Sequence, residues 1–482
     1  MPASETRPRR PGSSLFGAKR AVARAIGAAS RASGRGGGTT LPGRVLLRLD
    51  SEAIARLGAK LDRGTTIVSA TNGKTTTAGM IAALLAADGR RPVHNRAGSN
   101  MTWGVATALL EQDGREGLFE VDEAWLPRVA EQLDPSLIVL GNLFRDQLDR
   151  YGEMEALADE WAKVVEERAG ATRFVLGADD PLIADLGRDA EERPREGVLY
   201  FGIDDESQAL DEFQHAFDAK HCRRCGHPYA YERAFVGHLG HYSCPNCGAE
   251  RPRPDVAATR IELRGMEGSS VAVRTTIGEL ELELPFPGLY NVYNALAAVA
   301  AGLALGIEPA RIATALGEAR AAFGRVETIA MGKRHPGALG VKPVAGKSVS
   351  ILLIKNPAGA NEVLRTLLPE ADGEGLDLWI GLNDRIADGR DVSWVWDADF
   401  ELLAGAVRRV VCAGTRAAEM ALRLKYAGWP QGAIEVEPDI ETSLDLAVAG
   451  ARGRLLALPT YTALLELRKL LAARGLAKEF WR

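Results

Sequence analysis

The sequence predicts an α/β protein with two successive sheet-containing regions. Strand-like runs alternate with helical stretches after residue 66, a pattern typical of a parallel sheet with crossover helices. A segment rich in Cys, His, Tyr and Gly interrupts this pattern at about residues 218–252, and a second strand–helix series begins beyond Gly324. The predicted strands are 66–70, 118–121, 137–140, 174–177, 259–263, 270–275, 280–284, 350–354, 376–382, 407–412 and 454–458, the last four each followed by a helix, and other predicted helices are 15–26, 53–61, 75–87 and 291–305.

The N-terminal segment, residues 1–50, differs from the rest of the chain in charge. Residues 1–48 contain ten Lys and Arg and one acid, Glu5, so the remaining chain carries 49 basic and 63 acidic residues, a net charge of −14. An acidic body argues against nucleic-acid binding, whereas the basic segment suits anionic lipid or a partner. No secretory apolar region and no run long enough to span a membrane is present, so we expect a cytoplasmic protein.

A candidate phosphate loop lies between the first buried strand and a helix. Gly73-Lys74-Thr75 stands at the turn, where backbone N–H groups and a helix N-terminus bind phosphate. Lys74 would reach the terminal phosphates and Thr75 would bind Mg²⁺. Val68 occupies the place of the first Gly of the general pattern. A simple helix cap is the alternative, but Asn72-Gly73 after four β-prone residues favours the phosphate loop.

Four of the five cysteines form two C-x-x-C pairs inside the insertion. Each pair is followed by Gly, as a metal knuckle requires, and the separation of the pairs suits a zinc ribbon. The predicted zinc ligands are Cys222, Cys225, Cys244 and Cys247. We expect a structural site, because four thiolates complete the shell and would stabilise a module with little core of its own. The nearby histidines are expected to face solvent, and a redox pair or a nucleic-acid finger is the weaker alternative.

Six segments resemble, in order, the motifs of the Mur ligase superfamily. They are 70–75 (ATNGKT), Glu120 after its strand, 141–152 (GNLFRDQLDRYG), 177–181 (GADDP), 287–295 (PGLYNVYNA) and 323–327 (FGRVE). The resemblance implies a Mur-ligase-like central ATP-binding domain with a parallel sheet and a smaller, Rossmann-like C-terminal domain. We expect boundaries at 1–50, 51–324 and 325–482, with the zinc-ribbon insertion at 218–252.

The same resemblance implies the ligands of ATP and Mg²⁺. The implied ATP-binding residues are Thr71, Asn72, Gly73, Lys74, Thr75, Thr76, Asn294 and Arg325, with Asn294 at adenine, and the implied Mg²⁺ ligands are Thr75 and Glu120. Lys74 and Glu120 are also expected to be catalytic. Two departures affect the metal site: Gln147 replaces a family His, and the carbamylated Lys of several members would fall near Trp161, two places from Lys163.

Other segments are similar to one family within this superfamily, MurT. These are 36–43, 381–401 and 458–463, and too little sequence precedes Lys74 for the N-terminal domain of ligases that use uridine nucleotides. The resemblance implies amidation of the α-carboxylate of D-glutamate in the lipid II stem peptide at the inner face of the cell membrane. ATP would form an acyl phosphate, which ammonia then attacks.

The source of ammonia points to a second chain. A glutaminase needs an activated Cys with a His base. Four cysteines are assigned to zinc, and Cys412 lies on an apolar strand, where an inert core residue is expected. The family expectation is therefore a partner of the GatD type, a class I glutamine amidotransferase subunit.

In the MurT–GatD family an Asp of the ligase chain is thought to complete the partner's Cys–His pair. The candidates are Asp384, Asp388, Asp391, Asp397 and Asp399. Asp391 is preferred, because Gly389-Arg390 predicts a turn before it and Val392–Trp396 predicts a strand after it. Such a carboxylate would be both exposed and rigid. Asp397 and Asp399 are the next candidates, Asp384 could serve the ligase site instead, and a solvated polar face is the alternative for each.

Two other functions stay open at this point. A folylpolyglutamate-type ligase would add an amino acid instead of ammonia, but it does not explain the Cys₄ insertion. A zinc-ribbon adaptor with a regulatory nucleotide site is the second alternative, and it predicts no ATP turnover in the presence of an acceptor.

Overall fold

The computed structural model describes residues 13–32, 40–95, 99–146, 154–189, 191–319, 327–332, 346–371 and 373–477. The chain forms two compact units. The first comprises Met1–Ile67 and Arg91–Ser136, and the second comprises Val68–Arg90 and Leu137–Arg482. No helix in the described part of the chain is both long and apolar enough to cross a bilayer.

The first unit is mostly helical. Its helices are α1 (Ser13–Ala32), α2 (Leu41–Leu49), α3 (Ala53–Gly58), α5 (Thr102–Glu111) and α6 (Leu126–Leu133). Two strands, β2 (Val93–His94) and β3 (Gly117–Glu120), pair in parallel. Strand β1 (Thr65–Ser69) begins in this unit and ends in the second. The predicted helix 15–26 is confirmed as part of the longer α1.

The second unit contains the central sheet, whose strands run from β1 outward in the order β1-β4-β5-β6-β9-β10-β11. Strands β4, β5, β6 and β9 are parallel, whereas β10 and β11 are antiparallel additions at the edge. The strands are β4 (Leu137–Leu140), β5 (Arg173–Gly177), β6 (Val198–Ile203), β9 (Val256–Leu263), β10 (Ser269–Thr275) and β11 (Gly278–Leu284). The helices are α4 (Lys74–Ala87), α7 (Met154–Glu167), α8 (Pro181–Ala184), α9 (Leu289–Ala304) and α10 (Pro309–Gly317).

The insertion between β6 and β9 forms its own antiparallel hairpin, β7 (Ala230–Val236) and β8 (Leu239–Ser243). The first cysteine pair precedes β7 and the second follows β8. The hairpin therefore connects the two knuckles, as expected for a zinc ribbon.

The C-terminal part of this unit has a six-stranded sheet in the order β12-β13-β17-β14-β15-β16. All pairs are parallel except β12 with β13. Buried apolar clusters cover both faces, as a parallel sheet requires. The strands are β12 (Glu327–Ala330), β13 (Ser348–Ile351), β14 (Leu376–Gly381), β15 (Val407–Ala413), β16 (Ile434–Val436) and β17 (Arg454–Pro459), and the helices are α11 (Pro357–Leu367), α12 (Ala417–Tyr426), α13 (Ile440–Gly450) and α14 (Tyr461–Ala473).

Two local predictions in this sheet are wrong. Strand β14 is followed by 3₁₀ turns and no α-helix, and the predicted strand at Val392–Trp396 is a 3₁₀ helix over Ser393–Trp396. Val395 is buried in the core, Trp394 is partly buried against the same core, and Trp396 is exposed, so the β-prone residues pack as a turn. Tertiary packing overrides β propensity here. The α/β class itself is confirmed.

Candidate functional site

The predicted phosphate loop joins β1 to α4. Gly73 precedes the helix with φ 90°, and a Cβ there would lie 1.9 Å from Asn294 Oδ1, so only glycine fits. Lys74 is buried, and its Nζ donates to Ala70 O at 2.5 Å. Its ammonium thus lies over the loop, at the helix N-terminus where phosphate binds. Thr75 and Thr76 follow in the first turn of α4.

The segment after β4 anchors this loop. Asn72 N–H donates to Asn142 Oδ1 at 2.9 Å, and Asn142 Nδ2 donates back to Asn72 O at 3.1 Å. Phe144 N–H donates to Thr71 Oγ1 at 3.1 Å. The Thr71 hydroxyl therefore ties the loop to the segment that follows β4. These contacts bring together the first and third of the sequence motifs.

Asn294, for which the resemblance implies a contact with adenine, lies on α9 against the loop. Its Oδ1 accepts from Thr77 Oγ1 at 3.2 Å, and its Nδ2 donates to Asn291 Oδ1 at 3.0 Å. This chain of side-chain bonds orients the amide beside Gly73. Arg325, the other distant ATP candidate, lies outside the described residues.

The C-terminal sheet contributes two side chains that sequence reasoning missed. Lys355 Nζ donates to Thr71 O at 3.0 Å and pairs with Asp146 Oδ2 at 2.5 Å. Asn356 Nδ2 donates to Asn72 Oδ1 at 3.0 Å, while Asn356 Oδ1 caps α11 by accepting from Gly359 N–H. A possible signal was Lys-Asn-Pro directly after an apolar strand, because Asn before Pro is a strong helix start.

A cleft that is open to solvent lies beside the loop. Its lining combines loop and amide groups with apolar and aromatic side chains. Such a mixture suits a nucleotide, whose phosphates need donors and whose base needs apolar surface. The lining residues are Asn72, Gly73, Thr76, Asn142, Phe144, Val236, Leu239, Tyr290, Tyr293, Asn294, Leu353, Lys355, Ala358, Gly359, Glu362 and Val363.

Glu362 is the acidic residue of this lining. Its carboxylate is 2.8 Å from Arg365 Nη1. Burial raises the pKa of Glu362, although Arg365 opposes that shift.

The remaining predicted metal residues have varied surroundings. Glu120 ends β3 in the first unit and is buried, and its backbone is clamped by Asn95, which accepts from Glu120 N–H and donates to Glu120 O. Lys163 is exposed on α7 and pairs with Glu160, while Trp161 is fully buried. Gln147 lies outside the described residues. The geometry leaves Lys163 as a surface residue.

The four predicted zinc ligands meet at one point. Their Sγ atoms all lie within 4.8 Å of one another. Four thiolates bound tetrahedrally at ~2.3 Å would be about 3.8 Å apart, so the cluster fits Zn²⁺. Cys222 Sγ is 3.5 Å from Cys247 Sγ, and Cys225 Sγ is 3.4 Å from Cys244 Sγ.

The two knuckles repeat one backbone pattern. Gly226 N–H donates to Cys222 O and Gly248 N–H donates to Cys244 O, and both glycines have positive φ, at 71° and 75°. Hydrogen bonds from the Asn246 side chain and the His227 backbone lower the pKa of Cys225 to about 6. The pKa of Cys247 moves the opposite way, to about 12: the bond from the Ala249 backbone lowers it, but burial and hydrogen bonds with the other three cysteines outweigh that effect.

The expectation that the insertion's histidines face solvent is wrong for His238. This residue is fully buried at the tip of the β7–β8 hairpin, and its ring lies 4.7 Å from that of Phe144. Its Nε2 is 3.5 Å from Asp180 Oδ2, and Asp180 accepts from Leu143 N–H. His241 is half-buried, with Nε2 2.9 Å from Ile203 O. The hairpin tip therefore packs against Phe144 and Asp180, which sequence spacing could not reveal.

Asp391 is exposed, and within the described residues its carboxylate makes no ion pair. It accepts from Ser393 N–H at 2.8 Å, and this bond lowers its pKa. The predicted turn is present, since Gly389 has φ 85°. Asp391 is held by a local hydrogen bond from the first residue of a 3₁₀ helix and not by a strand. Asp391 is therefore both exposed and held by its own turn.

The other four candidate aspartates are engaged within the chain. Asp384 pairs with Arg416 at 2.8 Å, and its bond from Thr415 lowers its pKa. Asp388 is buried and accepts from Thr462, and burial raises its pKa. The remaining two pair with side chains before the insertion or at its start, Asp397 with Arg145 at 3.0 Å and Asp399 with His215 at 2.5 Å.

Cys412 is the fifth cysteine and lies on β15. It is fully buried, and burial raises its pKa to about 12. A thiol in this state is not an activated nucleophile. The expectation of an inert core cysteine agrees with this environment.

Comparisons with known proteins extend the motif matches to most of the chain. Residues 68–249 match the Mur ligase middle domain model, and residues 353–464 match the MurT ligase C-terminal model. The chain is 32% identical over 450 residues to the lipid II isoglutaminyl synthase (glutamine-hydrolyzing) subunit MurT of Streptococcus pneumoniae, covering 92% of this chain and 94% of that protein. The corresponding Staphylococcus aureus (strain N315) subunit is 31% identical over 447 residues, with coverages of 90% and 93%.

A solved structure agrees in fold. A pseudomurein peptide ligase type C from Methanothermus fervidus has a TM-score of 0.65 and 22% identity, covering 86% of this chain and 80% of that one. At this identity the likeness shows the fold alone. The near-complete alignment with two curated subunits shows more, and the chain belongs to the MurT family of the Mur ligase superfamily.

Proposed function

We propose that the chain catalyses ATP-dependent amidation of the α-carboxylate of D-glutamate in the lipid II stem peptide, which yields D-isoglutamine for peptidoglycan synthesis. The observation that carries the proposal is the candidate phosphate loop, which holds the buried Lys74 and contributes Asn72, Gly73 and Thr76 to a cleft, in a member of the MurT family. The named relatives are subunits of lipid II isoglutaminyl synthase, and we extend that activity to this chain.

The reaction takes place in two steps. A carboxylate oxygen of D-glutamate attacks the γ-phosphorus of ATP, the bond from that phosphorus to the β–γ bridging oxygen breaks, and ADP leaves. Ammonia then attacks the acyl carbon, the bond to the phosphate oxygen breaks, and the nitrogen loses a proton as inorganic phosphate departs. Lys74 stabilises the charge on the transferred phosphoryl group, because its ammonium is held at the helix N-terminus.

Two metals are assigned to this chain. Thr75 and Glu120 are the proposed Mg²⁺ ligands, on the strength of the resemblance, and Mg²⁺ when bound spreads the negative charge of the phosphates. The four clustered cysteines are the proposed Zn²⁺ ligands. ATP contacts are assigned to Thr71–Thr76, Asn294 and Arg325. The division into segments 1–50, 51–324 and 325–482 is part of the same proposal.

The ammonia comes from a partner. Four of the five cysteines are assigned to zinc and Cys412 is buried with a raised pKa, which leaves no cysteine as the nucleophile for glutamine hydrolysis. The relatives' names describe them as subunits of a glutamine-hydrolysing enzyme. We therefore assign a GatD-type class I glutamine amidotransferase as the second subunit, with Asp391 completing its Cys–His pair. The enzyme would act in the cytoplasm at the inner face of the cell membrane, where lipid II is exposed.

The test is a product assay with purified complex, ATP, Mg²⁺ and a stem-peptide acceptor ending in D-glutamate. Amidation with added ammonium, or with glutamine when the partner is present, is the expected result. Addition of glutamate to the acceptor would instead establish the folylpolyglutamate-type alternative. No acceptor-dependent ADP release would leave the adaptor alternative.

A further inference from the structure

Helix α1 has an exposed face that lacks charge. Its exposed apolar residues include Leu15, Val22 and Ile26, which are 66%, 48% and 38% exposed. Alanines fill the rest of this face; Ala18, Ala21, Ala25, Ala28 and Ala29 are all exposed. The outward face of a surface helix is normally polar, so an apolar one needs a partner.

The charged residues of α1 lie at the edge against its own unit. Arg24 Nη2 donates to Leu110 O at 2.6 Å, Arg31 Nη1 pairs with Glu111 at 2.8 Å, and Lys19 pairs with Asp50 at 3.1 Å. These contacts fix which way the apolar face points. Ala23 is buried on the opposite side.

Charge identifies the occupant of this face. Residues 1–48 carry ten basic side chains and one acidic; six of the ten flank α1 in the sequence and four lie within it. A second copy of the chain would bring two such basic segments together, whereas an anionic bilayer would attract them. An apolar helix face with basic flanks is the pattern of an interfacial membrane helix.

We propose that α1 docks on an anionic lipid surface through the face formed by Leu15, Val22 and Ile26. The biological role of this docking rests on the proposed function, whose acceptor is lipid-linked. The observations that support the docking itself all concern α1 and its flanking sequence. Docking would hold the enzyme where its acceptor's lipid anchor lies. Exposed apolar residues and basic flanks would act together, as two weak signals do in other peripheral proteins.

The test uses the complete chain with its glutaminase partner and sedimentation with vesicles. Vesicles containing phosphatidylglycerol should bind the complex, and vesicles of phosphatidylcholine alone should bind it much less. The double variant Val22→Glu with Ile26→Glu should weaken binding about tenfold or more. Ile277→Glu is the matched control, because Ile277 is 65% exposed in the turn between β10 and β11.

Absence of binding to anionic vesicles would overturn the proposal, and so would equal binding by the wild type and the double variant. If the double variant instead changed its oligomeric state and kept its vesicle binding, the face would be assigned to a second copy of the chain. Amidation of a water-soluble stem peptide should be unchanged in the double variant. Failure of the wild-type complex to amidate that peptide would instead refute the proposed function and leave vesicle binding to be judged alone.

A second inference concerns the zinc-ribbon hairpin. Val236 and Leu239, on either side of its tip, line the cleft beside the phosphate loop. The hairpin is fixed from several directions: Gly240 N–H donates to Asp179 O, Gly237 N–H to Gln214 Oε1, and Arg365 to Phe235 O. Gly237 lies so close to Phe144 that a Cβ would be 2.9 Å from its ring.

We infer that the hairpin is a wall of the nucleotide site, with Leu239 packing against the base of ATP. Both strands lead directly into the cysteine knuckles, so the closed knuckles fix the position of the wall. This inference rests on ATP being the ligand of the cleft. The zinc module would then contribute to nucleotide affinity as well as to its own folding.

The test measures displacement of a fluorescent ATP analogue from the complex. Leu239→Ala should weaken ATP roughly tenfold and leave inorganic tripolyphosphate unchanged, because tripolyphosphate reaches only the loop. Leu282→Ala, an equally buried leucine on β11 away from the cleft, should leave both unchanged. If Leu239→Ala weakened the binding of ATP and tripolyphosphate equally, or weakened neither, the inference that the hairpin forms a wall of the nucleotide site would be refuted. Failure of the wild type to bind ATP at all would refute the proposed function itself.

Discussion

The phosphate loop and the segment 384–399 present their charged side chains in opposite ways. Lys74 is buried and folds onto main-chain oxygens of its own loop, which is anchored by Asn142, Phe144 and Asn356 from two other segments. Asp391 is exposed and accepts a hydrogen bond from Ser393 within its own turn. A group that stabilises phosphate gains from enclosure, since a dry site strengthens its field. A group that serves another chain must stay accessible.

The largest expected effect concerns the phosphate loop, where Lys74 is buried. Lys74→Ala should reduce amidation to background with ammonium or with glutamine, because both routes pass through the same acyl phosphate. Thermal unfolding should stay near that of the wild type. Turnover is followed by ADP release with the stem-peptide acceptor. Substantial turnover in the variant would show that the loop does not bind the transferred phosphate.

The next effect tests the exposed region. Asp391→Asn should lower glutamine-driven amidation by ~10⁴-fold, the loss expected when the third member of a triad is removed. Ammonium-driven amidation should be spared, because the ligase site is untouched. Asp445→Asn is a control with an exposed carboxylate on α13.

The nitrogen source makes the Asp391 result specific. Equal loss with ammonium and glutamine would move Asp391 to the ligase site. No loss with either would leave it a surface residue, and a selective loss in Asp397→Asn would transfer the role to Asp397.

A third, smaller effect concerns the zinc-ribbon insertion, whose hairpin packs against Phe144 beside the phosphate loop. Cys244→Ser should reduce bound zinc from one equivalent to well under one and destabilise the insertion by several kcal/mol, since metal binding supplies the folding energy of such modules. Metal analysis and thiol titration measure this change. Cys412→Ser is the matched control and should keep its zinc. A full equivalent of zinc in Cys244→Ser would reject the four-cysteine site.

The smallest effect is a pH dependence in the exposed region. The hydrogen bond to Asp399 raises the pKa of His215 above its ordinary value of 6.5. A raised folded-state pKa stabilises the protein fully below the ordinary value, and this stabilisation is lost as pH rises through the raised value. The effect should be small, because the His215 side chain is 72% exposed. The melting temperatures of the wild type and His215→Gln should converge once the pH exceeds the raised pKa of His215. A difference in melting temperature that widens with pH would contradict the assignment.

Local patterns made the loop and the knuckles predictable. Strand, glycine turn and helix follow each other within residues 65–87, and the cysteine pairs carry their own glycine turns. The backbone within such short segments is set by local sterics and hydrogen bonds. The predicted β4 coincides with the observed strand, and α4 and α9 differ from prediction by one or two residues at their ends.

Other features depended on contacts between distant segments. Lys355 and Asn356 contact the loop residues Thr71 and Asn72, which lie 284 positions earlier in the sequence. His238 is buried because the hairpin tip packs on Phe144, and nothing near His238 in the sequence signals that contact. The strand expected at Val392–Trp396 failed for the same reason, since the burial of Val395 and Phe400 favours short turns.

The α/β class, the strand–loop–helix that carries Lys74, the four-cysteine cluster and the core position of Cys412 all follow from the sequence, because each depends on neighbours in the chain or on composition. Tertiary contacts set which side chains surround the cleft and place the zinc-ribbon hairpin beside it. They also leave Asp391 exposed while Asp384, Asp388, Asp397 and Asp399 are engaged. Those properties arise from packing between segments far apart in the chain, and the spacing of residues along the sequence does not encode them individually.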